Sequence, residues 1–511
     1  MTVLSLATIL AEGARSRPGK VAIVDRDQRI TYAELWRQAR GYGAALRQFG
    51  VKAGDAVAIL CPNVAEFPRA YYGALAAGAT VVPVHLLLAA EEATYVLKDS
   101  GATVLLCYAG DASQLAVGVA AAAATGVALL TIGPPVDGYA SLDEAADKVE
   151  PLPTYLTREA EDPAVIFYTS GTTGTPKGAV LTHLNLVMNA TVNVFDANET
   201  TPDDIALGCL PLFHTFGQSV SMNGTFRRGG TLVLLARFTG EAAIELMRQE
   251  HVDVFHGVPT MYVALNEAAG RFETLPRLRL CVSGGASLPV AVLERFQELF
   301  STQIFEGYGL SETSPTATTN QPRFGTRPGT IGHPIWGVEV EIADATVEDR
   351  IEFVASGTLG EIVIRGHNVF AGYLGNPEAT AQAVVDGWFR SGDLGTKDAD
   401  GFITVVDRKK DLIIRGGFNV YPREVEEVLA RHPAIMQVAV VGRPDEVHGE
   451  EICAVVVPAG SSSAISADEL REWAKARLGR HKYPREYRIV DELPLGPSGK
   501  VLKRELRRRL S

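Results

Sequence analysis

Cysteine and charged residues are both scarce in this sequence of 511 residues. Its five cysteines stand far apart, without a CxxC pair or a histidine at metal-ligand spacing, which argues against a disulfide scaffold or a structural zinc site and favours a reduced protein. Charged residues make up 21%, and 48 basic against 60 acidic side chains give a net charge of −12, which disfavours general binding to nucleic acid or anionic membranes. A chain of this length predicts several globular domains.

The sequence also lacks an evident targeting or membrane segment. The N-terminus, from Met1 to Leu6, has no basic region before its apolar residues and predicts an amphipathic opening helix rather than a signal peptide. The most apolar stretch, 115–132, contains Gly118 and Gly126, which favours a helix ending near Ala124 and then a buried strand over a membrane span. We therefore expect a cytoplasmic protein with no integral membrane segment.

Short β-branched runs alternate with longer segments of helical period through most of the chain. Strands are predicted at 57–60, 80–84 and 102–106, and helices at 65–77 and 241–249. This alternation predicts an α/β fold of open, mainly parallel sheets with helices on both faces. Ligands of such sheets bind at the carboxyl ends of the strands.

The pattern changes in the last third of the sequence. From about Val338 the strands become shorter and alternate, which predicts a barrel or a small antiparallel sheet. The charged cluster from Asp407 to Asp411 then precedes a final segment with its own predicted helix, 422–431, and strand, 437–441. Because exposed polar segments commonly join domains, we expect a domain boundary near 408–412.

The motif richest in chemistry is Tyr168-Thr-Ser-Gly-Thr-Thr-Gly-Thr-Pro-Lys177, which follows an apolar strand. Its glycines let backbone N–H groups approach an anion, its hydroxyls can donate hydrogen bonds, and Lys177 supplies positive charge, so it predicts a phosphate-binding loop. The spacing differs from that of a Walker A loop, which ends in Gly-Lys-Ser/Thr. A simple Gly/Thr turn is the alternative.

Six more motifs follow in a fixed order, and together the seven resemble the adenylate-forming superfamily, in its acyl-CoA synthetase branch of fatty-acid and aryl-CoA ligases. They are Pro211-Leu-Phe-His-Thr-Phe-Gly217, Ser283-Gly-Gly-Ala286, Gly307-Tyr-Gly-Leu-Ser-Glu-Thr313, Trp388-Phe-Arg-Ser-Gly-Asp-Leu394, the segment from Asp407 to Pro422, and Pro497-Ser-Gly-Lys-Val-Leu-Lys503. The resemblance spans nearly the whole chain.

The resemblance implies a specific domain organisation. A large N-terminal domain, 1–408, would contain two doubly wound α/β subdomains and a small β-barrel. A hinge, 409–411, with Lys410 as its pivot, would join it to a small mobile α+β lid domain, 412–511. Without the resemblance, a charged run of this kind reads as a solvated surface segment.

The resemblance also implies a site for ATP and AMP. Within it, Tyr308 would stack on adenine, Asp393 would accept the ribose hydroxyls and Arg408 would be a second ribose contact; an ordinary half-buried tyrosine and an Asx turn are the plainer interpretations. The implied nucleotide-binding residues are Thr169, Ser170, Gly171, Thr172, Thr173, Gly174, Lys177, Gly284, Gly285, Ala286, Gly307, Tyr308, Gly309, Asp393 and Arg408.

Four residues are implied in catalysis. Glu312 would hold Mg²⁺, which prefers one or two carboxylates together with nucleotide phosphates, although a carboxylate capping a helical turn is the plainer interpretation. Thr313 would lie beside the α-phosphate, and His214 would orient or gate the acid at the mouth of the acyl site. Lys500 would bridge the carboxylate and the α-phosphate during adenylation; its alternative is a surface lysine before a basic helix.

Two further groups of residues are implied in binding the carboxylic acid and coenzyme A. Gly416, Gly417 and Phe418 resemble the loop that lines the coenzyme A tunnel of CoA ligases. Gly217 stands where amino-acid-activating members carry an aspartate that pairs with the substrate ammonium. These segments also contain no arginine that could bind a second carboxylate. We therefore expect an acid whose acyl or aryl part is uncharged. The acyl-pocket residues implied are Phe216, Gly217, Val220 and Ser314.

The sequence thus predicts an ATP-dependent carboxylic acid:CoA ligase that uses Mg²⁺ and releases pyrophosphate. Its acid would be a medium- or long-chain fatty acid or an aryl or cinnamate-like acid. An acyl-AMP ligase that loads a carrier protein or another nucleophile is the first alternative, and a non-catalytic nucleotide-binding regulator is the second. A homodimer stays open, and His85, which stands where relatives often have asparagine, is expected to be structural.

Overall fold

The β-branched runs predicted as strands form four sheets in the computed structural model, which describes residues 3–169, 176–459, 465–496 and 501–510. The first sheet has eight strands, and its inner strands run parallel. In spatial order its strands are Gly372–Tyr373, Lys177–Thr182, Pro163–Thr169, Thr80–Pro83, Ala56–Leu60, Ala102–Tyr108, Ala128–Ile132 and Ala140–Ser141.

The second sheet has nine strands and is again parallel in its interior, with antiparallel strands at both edges. One edge is built by the first strands of the chain, so the N-terminal segment belongs to the second sheet rather than the first. In spatial order the strands are His333–Pro334, Thr316–Thr319, Ile304–Gly309, Leu280–Ser283, Val254–Gly257, Ile205–Gly208, Thr231–Leu234, Val21–Asp25 and Gln28–Thr31.

Two smaller sheets of five strands each follow, and they correspond to the change of pattern near Val338. The third is antiparallel, as predicted, and comprises Val338–Ala343, Gly360–Gly366, Trp388–Lys397, Val384–Val385 and Ile403–Arg408. The fourth is mixed and comprises Phe418–Val420, Ile413–Arg415, Gly449–Pro458, Ile435–Asp445 and Glu486–Ile489.

Helices cover the sheets. The α-helices are Thr8–Ser16, Tyr32–Gln48, Glu66–Ala76, Ala90–Asp99, Ala112–Thr125, Leu142–Asp147, His183–Val192, Gly224–Arg228, Gly240–Gln249, Pro259–Ala268, Val290–Phe300, Pro377–Ala383, Pro422–Ala430, Ala467–Lys475 and Lys503–Leu510. Short 3₁₀ helices are Ala269–Arg271, Ser311–Thr313 and Pro322–Phe324, and π-helical segments are Asn193–Ala197 and Phe216–Asn223.

The apolar stretch 115–132 folds as its glycines predict. The helix Ala112–Thr125 starts at Asp111, whose side chain accepts hydrogen bonds from Ser113 N and Gln114 N, and it ends at Gly126 in the left-handed conformation, with φ 74°. The strand Ala128–Ile132 follows. In the described part of the chain, no helix has both the length and the apolarity needed to span a membrane.

The cores follow the same division into a large and a small part. One apolar cluster is shared by the first two sheets and reaches the third, so these form one large body. The fourth sheet has its own core on each face, around Val440 and Ile452 on one side and Val441 and Leu493 on the other. The predicted α/β class, with a large N-terminal and a small C-terminal part, therefore agrees with the structure.

Candidate active site

The motif residues meet because they follow the carboxyl ends of strands. Thr169 ends a strand of the first sheet, while Gly284, Gly309 and His214 lie in or just beyond strands of the second sheet. Asp393 lies in the third sheet. A cleft at this edge is where parallel sheets bind their ligands.

The two strands that flank the predicted phosphate loop pair as an antiparallel hairpin. Thr169 and Lys177 lie opposite each other in these strands. The Lys177 ammonium lies 5.1 Å from the ring centre of Tyr373, on the neighbouring edge strand. Ser170, Gly171, Thr172, Thr173 and Gly174 lie outside the described residues, so their role in phosphate binding stays a prediction.

The Glu312 carboxylate faces this hairpin. It is buried, and its Oε1 accepts hydrogen bonds from Thr169 Oγ1 at 3.3 Å and Tyr373 Oη at 3.0 Å. Burial, assisted by the Glu312 charge, raises the pKa of Tyr373 well above its usual value, so its hydroxyl remains a donor. Both of these hydrogen bonds go to Oε1. A buried carboxylate held in this way suits the predicted Mg²⁺ role.

Thr313, which is predicted to lie beside the α-phosphate, makes its side-chain contacts within the turn that contains Glu312. Its side chain is fully buried, and its hydroxyl accepts from Leu310 N at 2.8 Å and donates to Leu310 O at 3.1 Å and to Pro315 O. A Cβ at Gly309 would overlap the same Pro315 carbonyl. In this structure both residues therefore shape the turn that presents Glu312.

Three predicted nucleotide residues form one hydrogen-bonded group. Asp393 is buried and accepts from Tyr308 Oη at 2.6 Å, while its other oxygen lies 3.1 Å from Arg408 Nε. Asp393 and Arg408 are paired directly across adjacent strands. Burial, followed by the Asp393 charge, raises the pKa of Tyr308 well above its usual value, so Tyr308 donates rather than ionises. The carboxylate is thus held by two donors, as a ribose-binding acid would be.

The glycines after the strand Leu280–Ser283 make room beside an aromatic ring. A Cβ at Gly284 would lie 3.2 Å from the Phe216 ring, so the ring packs directly over this backbone. Gly285 has φ 80°, which favours glycine, and Gly285 and Ala286 are exposed. Phe216 therefore adjoins the predicted nucleotide segment, which also includes Gly307.

Two predicted acyl-pocket residues are engaged elsewhere. A Cβ at Gly217 would overlap Pro211 O, so close backbone packing, rather than pocket space, requires this glycine. Ser314 is fully buried and its hydroxyl donates to Asn368 O at 2.8 Å, so that hydroxyl is not available to an acid. Val220 and Phe216, both nearly buried, remain the residues of this group that can line an acyl pocket.

Two histidines lie near these elements. His214 Nδ1 accepts from Phe216 N at 3.2 Å, which places the proton of a neutral ring on Nε2. His85 packs its ring 4.6 Å from the ring of Phe213 and accepts from Leu87 N through Nδ1 at 3.0 Å. Burial lowers the pKa of His85 to about 4, and these contacts agree with the structural role expected of it.

The predicted coenzyme A loop lies apart in the small domain. Gly416 and Gly417 have φ 57° and 83°, and Gly416 N donates to the His448 carbonyl at 2.7 Å. Phe418 is exposed and its ring centre lies 5.1 Å from that of His481. Lys410 follows the strand Ile403–Arg408, and partial burial of its amine lowers its pKa. Lys500 lies outside the described residues.

Fold and site together match an adenylate-forming enzyme: Thr169, Glu312 and Asp393 come from or next to three different sheets. The chain belongs to the AMP-binding enzyme family: the family model described as "AMP-binding enzyme" matches residues 10–374, and the model described as "AMP-binding enzyme C-terminal domain" matches residues 424–500.

Relatives of known activity extend this comparison. The chain is 39% identical over 498 residues to a feruloyl-CoA synthase of Amycolatopsis sp, covering 97% of both chains. It is 33% identical over 532 residues to a long-chain-fatty-acid–CoA ligase of Bacillus subtilis (strain 168), covering 98% of this chain and 94% of the relative. A benzoate CoA ligase structure from Burkholderia xenovorans LB400 superposes with a TM-score of 0.89 at 28% identity, covering 98% and 99% of the two chains.

The comparisons confirm the predicted superfamily, its acyl-CoA synthetase branch and the enzyme class, an AMP-forming acid–thiol ligase. The individual site residues stay predictions, although the structure brings Glu312, Thr169, Lys177, Tyr308, Asp393 and Arg408 together. Tyr373 was not predicted. It stands 61 residues beyond Glu312, and no motif or spacing in the sequence connects the two.

Proposed function

We propose that this protein is an ATP-dependent carboxylic acid:CoA ligase that activates an uncharged acid as its acyl-AMP and then transfers the acyl group to coenzyme A. The observation that carries the proposal is the meeting of the Glu312 carboxylate with the Thr169–Lys177 hairpin, next to the Asp393 group. These contacts support a phosphate site at the hairpin and a ribose site at Asp393.

Glu312 is the residue that would hold Mg²⁺, with its Oε1 fixed by Thr169 and Tyr373. When bound there, the metal ion would neutralise charge on the nucleotide phosphates. The remaining catalytic work falls to this chain's own groups. Lys177 adds a second positive charge at the hairpin, and the Asp393 group fixes the ribose.

In the first half-reaction, a carboxylate oxygen of the acid attacks the α-phosphorus of ATP, and the bond to pyrophosphate breaks. His214 would orient the carboxylate for this attack. Lys500 would neutralise charge at the α-phosphate, a contribution typical of positioned charges in phosphoryl chemistry.

In the second half-reaction, the coenzyme A thiol attacks the acyl carbon and AMP leaves. We propose that the small domain, 412–511, first turns on the hinge 409–411 relative to the large domain, 1–408, so that the Gly416–Phe418 loop replaces Lys500 at the site. Two observations support these boundaries: the separate cores of the two parts, and the family models, whose gap from 375 to 423 contains the hinge.

The class of carboxylic acid is inferred from the predicted acyl pocket and from the relatives. Phe216 and Val220 offer an apolar lining, which suits an aryl or fatty acyl chain. We propose coenzyme A rather than a carrier protein as the acceptor, because the relatives with sequence identity above 30% include both aryl- and fatty-acyl-CoA ligases. The five free, buried cysteines suit a reduced compartment such as the cytoplasm.

A pyrophosphate-release screen tests the function. The purified protein is given ATP and Mg²⁺ with fatty, cinnamic or benzoic acids, with and without coenzyme A. We expect acid-dependent pyrophosphate release and a thioester product only when coenzyme A is present. Pyrophosphate release without any thioester would favour another acceptor, and a complete lack of acid-dependent release would favour a regulator that binds nucleotide without catalysis.

The Lys500→Ala variant separates the two half-reactions in the same assay. Adenylation should fall by about 10²–10³-fold, as for loss of one transition-state charge donor, while thioester formation from supplied acyl-AMP should survive. Equal losses in both half-reactions would contradict a site that exchanges Lys500 for the Gly416–Phe418 loop.

A further inference from the structure

The helix Ala90–Asp99 packs against the two strands that flank the predicted phosphate loop. These strands, Pro163–Thr169 and Lys177–Thr182, are called the phosphate hairpin below. The buried residues of the helix belong to the apolar cluster that also contains Ile166 of the hairpin. Apolar packing therefore makes this helix a fixed support for the hairpin.

One polar contact connects this helix to the strand that leads into the loop. Tyr168, the residue before Thr169, donates its hydroxyl to Asp99 Oδ2 at 2.7 Å. Gly178 lies opposite Tyr168 in the hairpin, and a Cβ there would be 3.3 Å from the tyrosine ring. Glycine at this position therefore leaves the room that the ring needs on its way to the helix.

A second polar contact connects the same helix to the strand that leaves the loop. Tyr95 donates its hydroxyl to the carbonyl of Pro176 at 2.9 Å, directly before Lys177. The rings of Tyr95 and Tyr168 meet edge to face, with their centres 6.2 Å apart. Burial raises the pKa of both tyrosines, and Asp99 adds to this effect, so both hydroxyls keep their protons and donate.

The alternation of side chains along the hairpin separates these contacts from the predicted phosphate site. Successive residues of a strand point to opposite faces of the sheet. Tyr168 contacts the helix, whereas its neighbour Thr169 donates to Glu312 and Lys177 lies over the ring of Tyr373. Thr169 and Lys177 are therefore held between the helix on one face and the Glu312 carboxylate on the other.

We propose that Tyr168, Tyr95 and Asp99 are positioning residues for ATP: by holding both ends of the phosphate hairpin to one helix, they set how tightly the nucleotide binds. They act through Thr169 and Lys177. Groups that are already held lose less conformational freedom when a ligand binds, and such preorganisation raises affinity. The inference rests on the proposed function, which makes ATP the ligand of this hairpin. Asp99 stands 69 residues before Tyr168, outside all seven motifs.

Two tyrosine variants test the proposal. Tyr168→Phe and Tyr95→Phe each remove one hydroxyl and keep the ring. Titration calorimetry measures the Kd of ATP in the presence of Mg²⁺ and without acid, so the measurement does not require turnover. Each variant should weaken ATP binding by about 3–10-fold, as for one hydrogen bond, and the double variant should weaken it further. In turnover, the KM for ATP should rise, while kcat at saturating ATP and the KM values for the acid and coenzyme A should not change.

Further variants assign the effect to the contact with the helix. Asp99→Ala should weaken ATP binding as much as Tyr168→Phe does, whereas Asp99→Asn, which keeps an acceptor oxygen, should restore most of the affinity. Asp99 is exposed, so both variants should fold. Tyr42→Phe is the matched control, because it removes another hydroxyl that donates to an aspartate, Asp143, outside the phosphate hairpin. It should leave the affinity for ATP unchanged.

The outcomes distinguish this inference from the proposed function. Unchanged ATP affinity in the folded double tyrosine variant would overturn the positioning role. An equal loss in Tyr42→Phe, or parallel increases in the KM values for ATP, acid and coenzyme A, would indicate a general effect on folding and would also overturn it. Absence of acid-dependent pyrophosphate release in the unsubstituted protein would overturn the ligase function alone, since the ATP affinities decide the positioning role without turnover.

Discussion

Tyr373 is the residue on which the proposed Mg²⁺ site at Glu312 most depends. Its hydroxyl donates to Glu312 Oε1, and its ring faces the Lys177 ammonium, so one side chain fixes both the carboxylate and the cation of the phosphate site. Residues that orient a metal ligand in this way commonly affect metal affinity or activity by 10–100-fold. Tyr373 is a positioning residue, because its contacts are with Glu312 and Lys177.

The Tyr373→Phe variant tests this role. It removes the hydroxyl and keeps the ring beside Lys177, so adenylation should fall by roughly 10-fold and should need more Mg²⁺ for half-maximal rate. The measurement is pyrophosphate release across a Mg²⁺ titration. Tyr32→Phe is the control, since it removes a hydroxyl that donates to Gly230 O at 2.7 Å outside the site. An unchanged Mg²⁺ requirement would contradict the positioning role.

At this scale the sequence predicts residue types better than side-chain directions. Glu312, Asp393 and Arg408 were predicted from motifs and do come together. Ser314 and Gly217 belong to the same motifs, but their neighbours are Asn368 and Pro211, whose proximity depends on the tertiary fold. Spacing along the chain carries no information about such contacts, and the same holds for Tyr373.

At the scale of elements, the strands and helices were largely predictable because their periodicity is strong. The helix predicted at 65–77 is Glu66–Ala76, and the one predicted at 422–431 is Pro422–Ala430. Sheet membership was not predictable in the same way. Val21–Asp25 pairs with Thr231–Leu234, more than 200 residues away, and no local pattern encodes that pairing.

The two domains are joined by a cluster of buried charges at the proposed hinge. Asp407, just before the hinge, accepts from Arg423 N at 2.9 Å. Lys503, at the start of the last helix, is paired with Glu426 at 2.8 Å, and Asp407 adds to the charge that raises its pKa despite burial. Two helices of the small domain, Pro422–Ala430 and Lys503–Leu510, and the end of the large domain therefore meet around Lys503.

The Lys503→Met variant tests this connection. It keeps the side-chain volume but leaves Glu426 without its cation, so unfolding free energy should fall by about 2–3 kcal/mol. Lys475→Met is the matched control, because its partner Glu472 and the lysine are both exposed, and such pairs contribute about 0–1 kcal/mol. Denaturant unfolding measures both. A double variant, Lys503→Met with Glu426→Gln, should recover part of the loss, and additive losses would contradict direct pairing.

At the scale of the whole molecule, stability should depend on pH through buried histidines. Burial lowers the pKa of His85, His183 and His256 to about 4 each, against about 6.5 in an unfolded chain. The folded state therefore binds fewer protons, so the stability present above pH 6.5 is lost as the pH falls towards 4. Glu306 acts in the opposite direction, because burial raises its pKa to about 7 and its contribution is lost as the pH rises.

The three histidines together shift the pH dependence more than Glu306 does, in the direction of lower stability in acid. Each pKa difference corresponds to roughly 3 kcal/mol at most, so the free energy of unfolding should decrease clearly between pH 7 and pH 5. His183 is the best single test: its Nδ1 accepts from Leu6 N at 3.0 Å, away from the predicted site, and a glutamine oxygen can accept in its place. His183→Gln should reduce the loss of unfolding free energy in acid by the contribution of this one histidine, at most roughly 3 kcal/mol. An unchanged slope in this variant would mean that His183 protonation does not drive the loss of stability in acid.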